Sequence, residues 1–79
     1  MGYNKAQKTM ALRSVYEFDY ERDYEDAKDA LRYHIGSNSS YTWDYSSSYY
    51  KIYIYDDCPD IAKAASICRE HDGKYQNPD

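Results

Sequence analysis

The chain has 79 residues, 12 of them tyrosine, and a formal net charge of −4 from 14 acidic and 10 basic residues. This length supports one domain with one small core, which excludes a two-domain enzyme with a cleft between domains. Leu, Ile, Val and Phe number only nine, so much of the 42% hydrophobic fraction is phenol rings whose hydroxyls need a partner or water.

From Lys8 to Tyr20 the residues alternate. Met10, Leu12, Ser14, Tyr16 and Phe18 point one way, and Ala11, Arg13, Val15, Glu17 and Asp19 the other, which predicts a half-buried strand. The period then changes. Asp23 is placed to cap a helix over 23–35, with Glu25 and Asp26 in its first turn, a stripe of Tyr24, Ala27, Leu31 and Ile35, and Gly36 to end it in a left-handed conformation. Residues 37–50 are rich in Ser and Tyr but contain a strand pattern at Tyr41, Trp43 and Tyr45. A turn is expected at Ser46 to Ser48.

Residues 49–55 read as the strongest strand, with Tyr50, Ile52 and Ile54 on one face and Lys51, Tyr53 and Tyr55 on the other. Pro59, preceded by aspartates, suits the first turn of a second helix with a stripe of Ile61, Ala64, Ala65 and Cys68 and an end at Gly73. Residues 1–7 and the tail 74–79 are expected to be flexible. The predicted fold is a small α+β domain, order β-α-β-β-α, with a three-stranded, mainly antiparallel sheet and the helices on one face. Leu12, Tyr16, Phe18, Trp43, Ile52 and Ile54 should face the helices. The other sheet face, with Arg13, Val15, Glu17, Thr42, Asp44, Lys51, Tyr53 and Tyr55, has no evident cover.

The acidic balance argues against a wide phosphate-binding face. The charge is uneven, however. Residues 1–13 carry Lys5, Lys8 and Arg13 and no acid, whereas 14–29 carry seven acids against Arg22 and Lys28. With no apolar run long enough to span a bilayer and no h-region after Met1, the chain reads as soluble and cytoplasmic. Cys58 and Cys68 form no disulfide framework, and with only His34 and His71 to assist them no zinc site is expected, nor any cofactor.

Catalysis finds little support. Cys68 and His71 are three apart on the second helix, but Cys68 lies on its apolar stripe; Cys58, near a helix N-terminus, is the better reactive thiol. Binding finds more. Glu17, Asp19, Glu21, Asp23, Asp26 and Asp29 can form an anionic strip aimed at a basic surface, and Tyr20, Tyr49, Tyr53 and Tyr55 are candidate anchors, since 12 rings exceed what one small core can bury. Two alternatives remain open. One is a single-strand nucleic-acid binder using an exposed tyrosine face; the other is a self-associating protein pairing through 49–55 as an edge strand.

The strand Tyr16-Glu17-Phe18-Asp19-Tyr20, followed by the acidic, alanine-containing helix Tyr24-Glu25-Asp26-Ala27-Lys28-Asp29-Ala30, resembles the small acidic proteins that phages and mobile elements encode against bacterial defences, especially anti-CRISPR proteins. The resemblance lies in size, charge and style and carries over no residue by alignment. It implies a non-enzymatic inhibitor that binds a CRISPR effector complex and blocks nucleic-acid recruitment or nuclease action.

Overall fold

A computed structural model describes residues 12–39 and 42–77. Its elements are β1 (Leu12–Glu17), α1 (Glu21–His34), β2 (Trp43–Ser46), β3 (Lys51–Tyr55), α2 (Ile61–Glu70) and β4 (Lys74–Gln76). The sheet has four strands rather than three, in the order β2-β3-β1-β4 with every neighbour antiparallel. This is the split β-α-β connectivity. The expected flexible tail is in part the fourth strand, because Lys74–Gln76 pairs with the edge of β1 that β3 leaves open. Strand β3 is consequently interior, so 49–55 is not an available edge; the edges are β2 and β4. Residues 8–11, expected to begin the first strand, and Tyr41 lie outside the described residues.

Alternation places Ile52 and Ile54 inward, both fully buried, beside Tyr16 and Trp43. One inward residue was misassigned. The β1–β3 register shifts between Leu12 and Ser14, leaving Arg13 as a bulge, so Leu12 stands opposite Tyr55 on the face away from the core. The hairpin turn also falls later than expected: Ser46 is still in β2, opposite Lys51, and Ser47 to Tyr50 make the turn, with Tyr50 at φ 50°.

Helix α1 starts two residues early. Tyr20 is its N-cap and supplies no side-chain bond, so Asp23 is not the cap but joins Glu21 in the first turn, where both carboxylates complement the helix dipole. Tyr24, Ala27, Lys28 and Leu31 form the buried stripe. At the other end Gly36 takes φ 124°, and its carbonyl accepts a 3.0 Å bond from Trp43 Nε1, which satisfies the donor of a fully buried indole. In α2 the cap is Asp60, one residue after Pro59, its carboxylate accepting from the Lys63 N–H at 3.0 Å.

The two helices and the inward sheet residues share one hydrophobic cluster built on Tyr16, Phe18, Tyr24, Leu31, Trp43, Ile52, Ile54 and Ile67. The rings pack edge-on or tilted: Tyr24 meets Phe18, Tyr45 and Tyr50 with centroids 6.2, 6.4 and 5.3 Å away. Lys28, although cationic, is buried with its ammonium 4.4 Å from the Tyr24 centroid and 4.2 Å from that of Tyr45, and 3.4 Å from Glu25. Two ring faces and one carboxylate offset its desolvation. The aromatic surplus thus has a structural use, as a cage for a lysine stem and head that span the helix–sheet seam.

Candidate partner-binding surface

A row of paired residues, Ser46, Lys51, Glu17 and Lys74, crosses the sheet at one end. Beyond it lie three chain reversals: 18–20 leading into α1, 47–50 between β2 and β3, and 71–73 from α2 into β4. The first two are tied by the Phe18 N–H, which donates to the Tyr50 carbonyl at 2.9 Å. The first and third meet in the ion pair of Lys74 with Asp19, which raises the lysine pKa through its hydrogen bond and charge.

Between the first and third reversals is a groove of about 480 Å3, lined by Asp19, Tyr20, Asp23, Arg69, Asp72, Gly73 and Lys74. Its wall at 70–73 is shaped by backbone geometry. His71 caps α2, Asp72 has φ 67°, the Asp72 N–H donates to Arg69 O at 3.1 Å, and the Gly73 N–H donates to Cys68 O at 2.8 Å. This is the Schellman pattern with an aspartate in the left-handed position that glycine normally takes. Gly73 is required instead for closeness: a Cβ there would lie 2.7 Å from Cys68 O and 2.8 Å from Phe18 Cζ. On the groove's inner side Arg69 Nη1 donates to the Tyr16 hydroxyl at 3.4 Å.

The ten sequence-derived candidates divide among three places. Asp19, Tyr20, Glu21, Asp23 and Tyr49 belong to the loop end, with Tyr20 69% and Tyr49 67% exposed. Asp26 and Asp29 lie on the exposed side of α1, where Asp29 pairs with Arg32 at 3.3 Å. Glu17, Tyr53 and Tyr55 share the sheet face away from the helices, Glu17 flanked by Lys51 and Lys74 on neighbouring strands. Among the described residues Glu21, Asp23 and Asp72 make no ion pair. Among the described residues four tyrosine rings stand out as exposed: Tyr20, Tyr33, Tyr49 and Tyr75. Three of them are at or next to the loop end.

Arg69, Asp72, Lys74 and Tyr75 were missed as site residues because their role depends on the return of the chain into β4. The signal available was the alternation in Lys74-Tyr75-Gln76 after a helix-ending glycine.

Neither thiol has the lowered pKa that would activate it as a nucleophile. Cys58 is buried rather than exposed at a helix N-terminus, and burial pushes its pKa up instead of down; Cys68 is fully buried and is pushed up to about 12 for the same reason. His71 Nδ1 lies 3.0 Å from Ile67 O, committing that nitrogen to the helix end. Among the described residues no cluster of three His, Cys, Asp or Glu could hold a metal ion, and no helix is long and apolar enough to cross a membrane. No family model, curated protein or solved structure matches the chain.

Proposed function

We propose that this chain is a non-enzymatic inhibitor that docks its loop end on a basic, nucleic-acid-binding surface of a protein partner and occludes it. The observation that carries this reading is that Tyr20, Tyr49 and Asp72 come from three separate reversals at one end of the fold, with the unpaired acids Glu21 and Asp23 in the adjoining first turn of α1 and exposed Tyr75 in β4 beside them. Tyrosine gives large contact area at small entropic cost, and the serines of the 47–50 turn add adaptable hydrogen bonds, the mixture found in antibody loops. The acids steer encounter with a cationic surface and set orientation, while the rings supply the contact that holds it. Asp26 and Asp29 extend the negative field along α1 without being part of the anchoring patch.

The resemblance to anti-CRISPR proteins supplies the partner class, a CRISPR effector complex whose nucleic-acid recruitment or nuclease action is blocked. The test is phage plating on bacteria with active CRISPR systems of each type, expressing the native chain or a variant with Tyr20→Ala, Tyr49→Ala and Asp23→Lys. The native chain should restore plaques of a targeted phage in at least one type, and the variant, at equal expression, should not. Failure of the native chain in every type would remove the CRISPR assignment, and equal rescue by the variant would remove the assigned surface.

A further inference from the structure

Phe18 belongs to the first chain reversal of the loop end and touches the other two. We infer that it is the positioning residue of the candidate surface: its buried ring and its backbone hold the turns that carry Tyr20, Tyr49 and Asp72 in one arrangement, so that the three act as a unit. As a role in binding this rests on the loop-end reading above; as a coupling between the turns it stands on geometry alone.

The link to the second reversal is double. The Phe18 N–H donates to the Tyr50 carbonyl at 2.9 Å, and the Phe18 ring lies edge-on to Tyr24, centroids 6.2 Å apart, whose own ring is 5.3 Å from that of Tyr50. Tyr50 ends its turn at φ 50°, a conformation that a bulky residue keeps only where its surroundings hold it. The link to the third reversal is steric. A Cβ at Gly73 would lie 2.8 Å from Phe18 Cζ and 2.9 Å from Cε2, so the far edge of the ring rests on the Gly73 backbone and each fixes the other by contact. The Gly73 N–H in turn donates to Cys68 O at 2.8 Å, which ties this contact to the end of α2.

The surface residues are next to these contacts in the chain. Tyr20 is two residues after Phe18, Tyr49 directly precedes Tyr50, and Asp72 directly precedes Gly73. A displacement of the Phe18 ring therefore moves the backbone beside all three. The other tie between the first and third reversals, Asp19 with Lys74, joins two exposed side chains and weakens with salt. Phe18 is buried, and its hold on the turns is packing that salt does not screen. A binding surface assembled from separate turns needs supporting residues locked by packing, because ordering the turns only when the partner arrives costs affinity.

The test compares Phe18→Leu, which shortens the side chain where it meets Gly73, with Ile54→Val, a core deletion on β3 away from the loop end. Amide hydrogen exchange would be followed by NMR at Phe18 and Gly73, with the bonded amides of Trp43 and Ala64 as references. In Phe18→Leu the Phe18 and Gly73 amides should both gain at least about 10-fold in exchange rate beyond the gain at the two references, and Ile54→Val should give no such excess. On the effector complex that the plating assay selects, Phe18→Leu should need at least about 10-fold more protein to displace target nucleic acid although Tyr20, Tyr49 and Asp72 are intact, and Ile54→Val should match the native chain. Failure of the native chain in that assay would overturn the loop-end reading alone, and the exchange rates would still decide the coupling. An excess at only one of the two amides, an equal gain at all four, or native potency in Phe18→Leu would overturn the positioning role. Should the leucine variant not fold, exchange of the native chain in dilute urea decides: one opening free energy and one urea slope shared by the Phe18 and Gly73 amides uphold it, and different slopes overturn it.

Discussion

Asp72 costs stability where it stands, at the end of α2 and in the wall of the groove. Its φ of 67° puts a residue with a Cβ in the left-handed region, a strain of about 1–2 kcal/mol for an ordinary residue and less for aspartate. Its carboxylate also sits just past the C-terminus of α2, the negative end of the helix dipole, at a cost of about 0.3–1 kcal/mol. Asp72→Gly removes both terms and adds about 0.5–1 kcal/mol of unfolded-chain entropy against folding. The net expectation is a gain of about 1 kcal/mol, or a rise in melting temperature of about 4–8 °C for a domain of this size. Asp72→Asn removes only the charge and should gain about half as much. Urea and thermal unfolding followed by circular dichroism and by the fluorescence of the buried Trp43 would measure both. A loss of stability in the glycine variant would refute the left-handed assignment, and a glycine variant less stable than the asparagine variant by about 0.5–1 kcal/mol would refute the strain term. Because Asp72 also lines the groove, the stabilised variant should bind the partner more weakly, a stability–function trade-off at one residue.

Three further outcomes are expected. Gly73→Ala should cost about 1–3 kcal/mol, read by the same unfolding assays, because its methyl group would lie 2.7 Å from a backbone carbonyl that cannot swing aside. The buried Tyr24 hydroxyl lies near Lys28 and Ser47 without making a hydrogen bond of good geometry, so Tyr24→Phe should be neutral or stabilising by up to about 1 kcal/mol in a urea titration. The folded-state pKa values of Cys58 and Cys68 are raised, so the folded state keeps thiol protons that the unfolded state loses. Stability should be fully present below pH 9 and decline as pH rises from 9 towards 12; Cys68→Ala should flatten that decline, and native thiols should resist a disulfide reagent until urea is added.

Legibility from sequence followed locality. The β3 pattern of Lys51 to Tyr55 and the Tyr24, Ala27, Leu31 stripe were readable because each is set by a period within one element. The face of Leu12 was not, since a bulge is one residue of register and leaves the alternation looking intact. Strand β4 was not, because three largely polar residues become a strand only when β1 offers an open edge. The cap of α2 falls at Asp60 and not at an aspartate before Pro59, because Asp57 and Asp60 flank the proline and both suit a capping role. At the candidate surface Asp19, Tyr20 and Asp23 were legible as an acidic, aromatic run, while Arg69, Asp72 and Lys74 join them only across a separation of about fifty residues in sequence. The continuous anionic strip envisaged over 17–29 is interrupted for the same reason: Glu17 belongs to the sheet between two lysines, and the helix turns Asp26 and Asp29 away from the groove.

The most direct measurement of the central claim is competition on a purified CRISPR effector complex of the type that the plating assay selects. Its affinity for target nucleic acid would be determined with and without the native chain and the Tyr20→Ala, Tyr49→Ala, Asp23→Lys variant. The native chain should displace target nucleic acid in a saturable manner, and the variant should need at least about 30-fold more protein, as expected when two anchoring rings and one steering acid are removed. Simultaneous binding of chain and nucleic acid, or equal potency of the variant, would contradict the account.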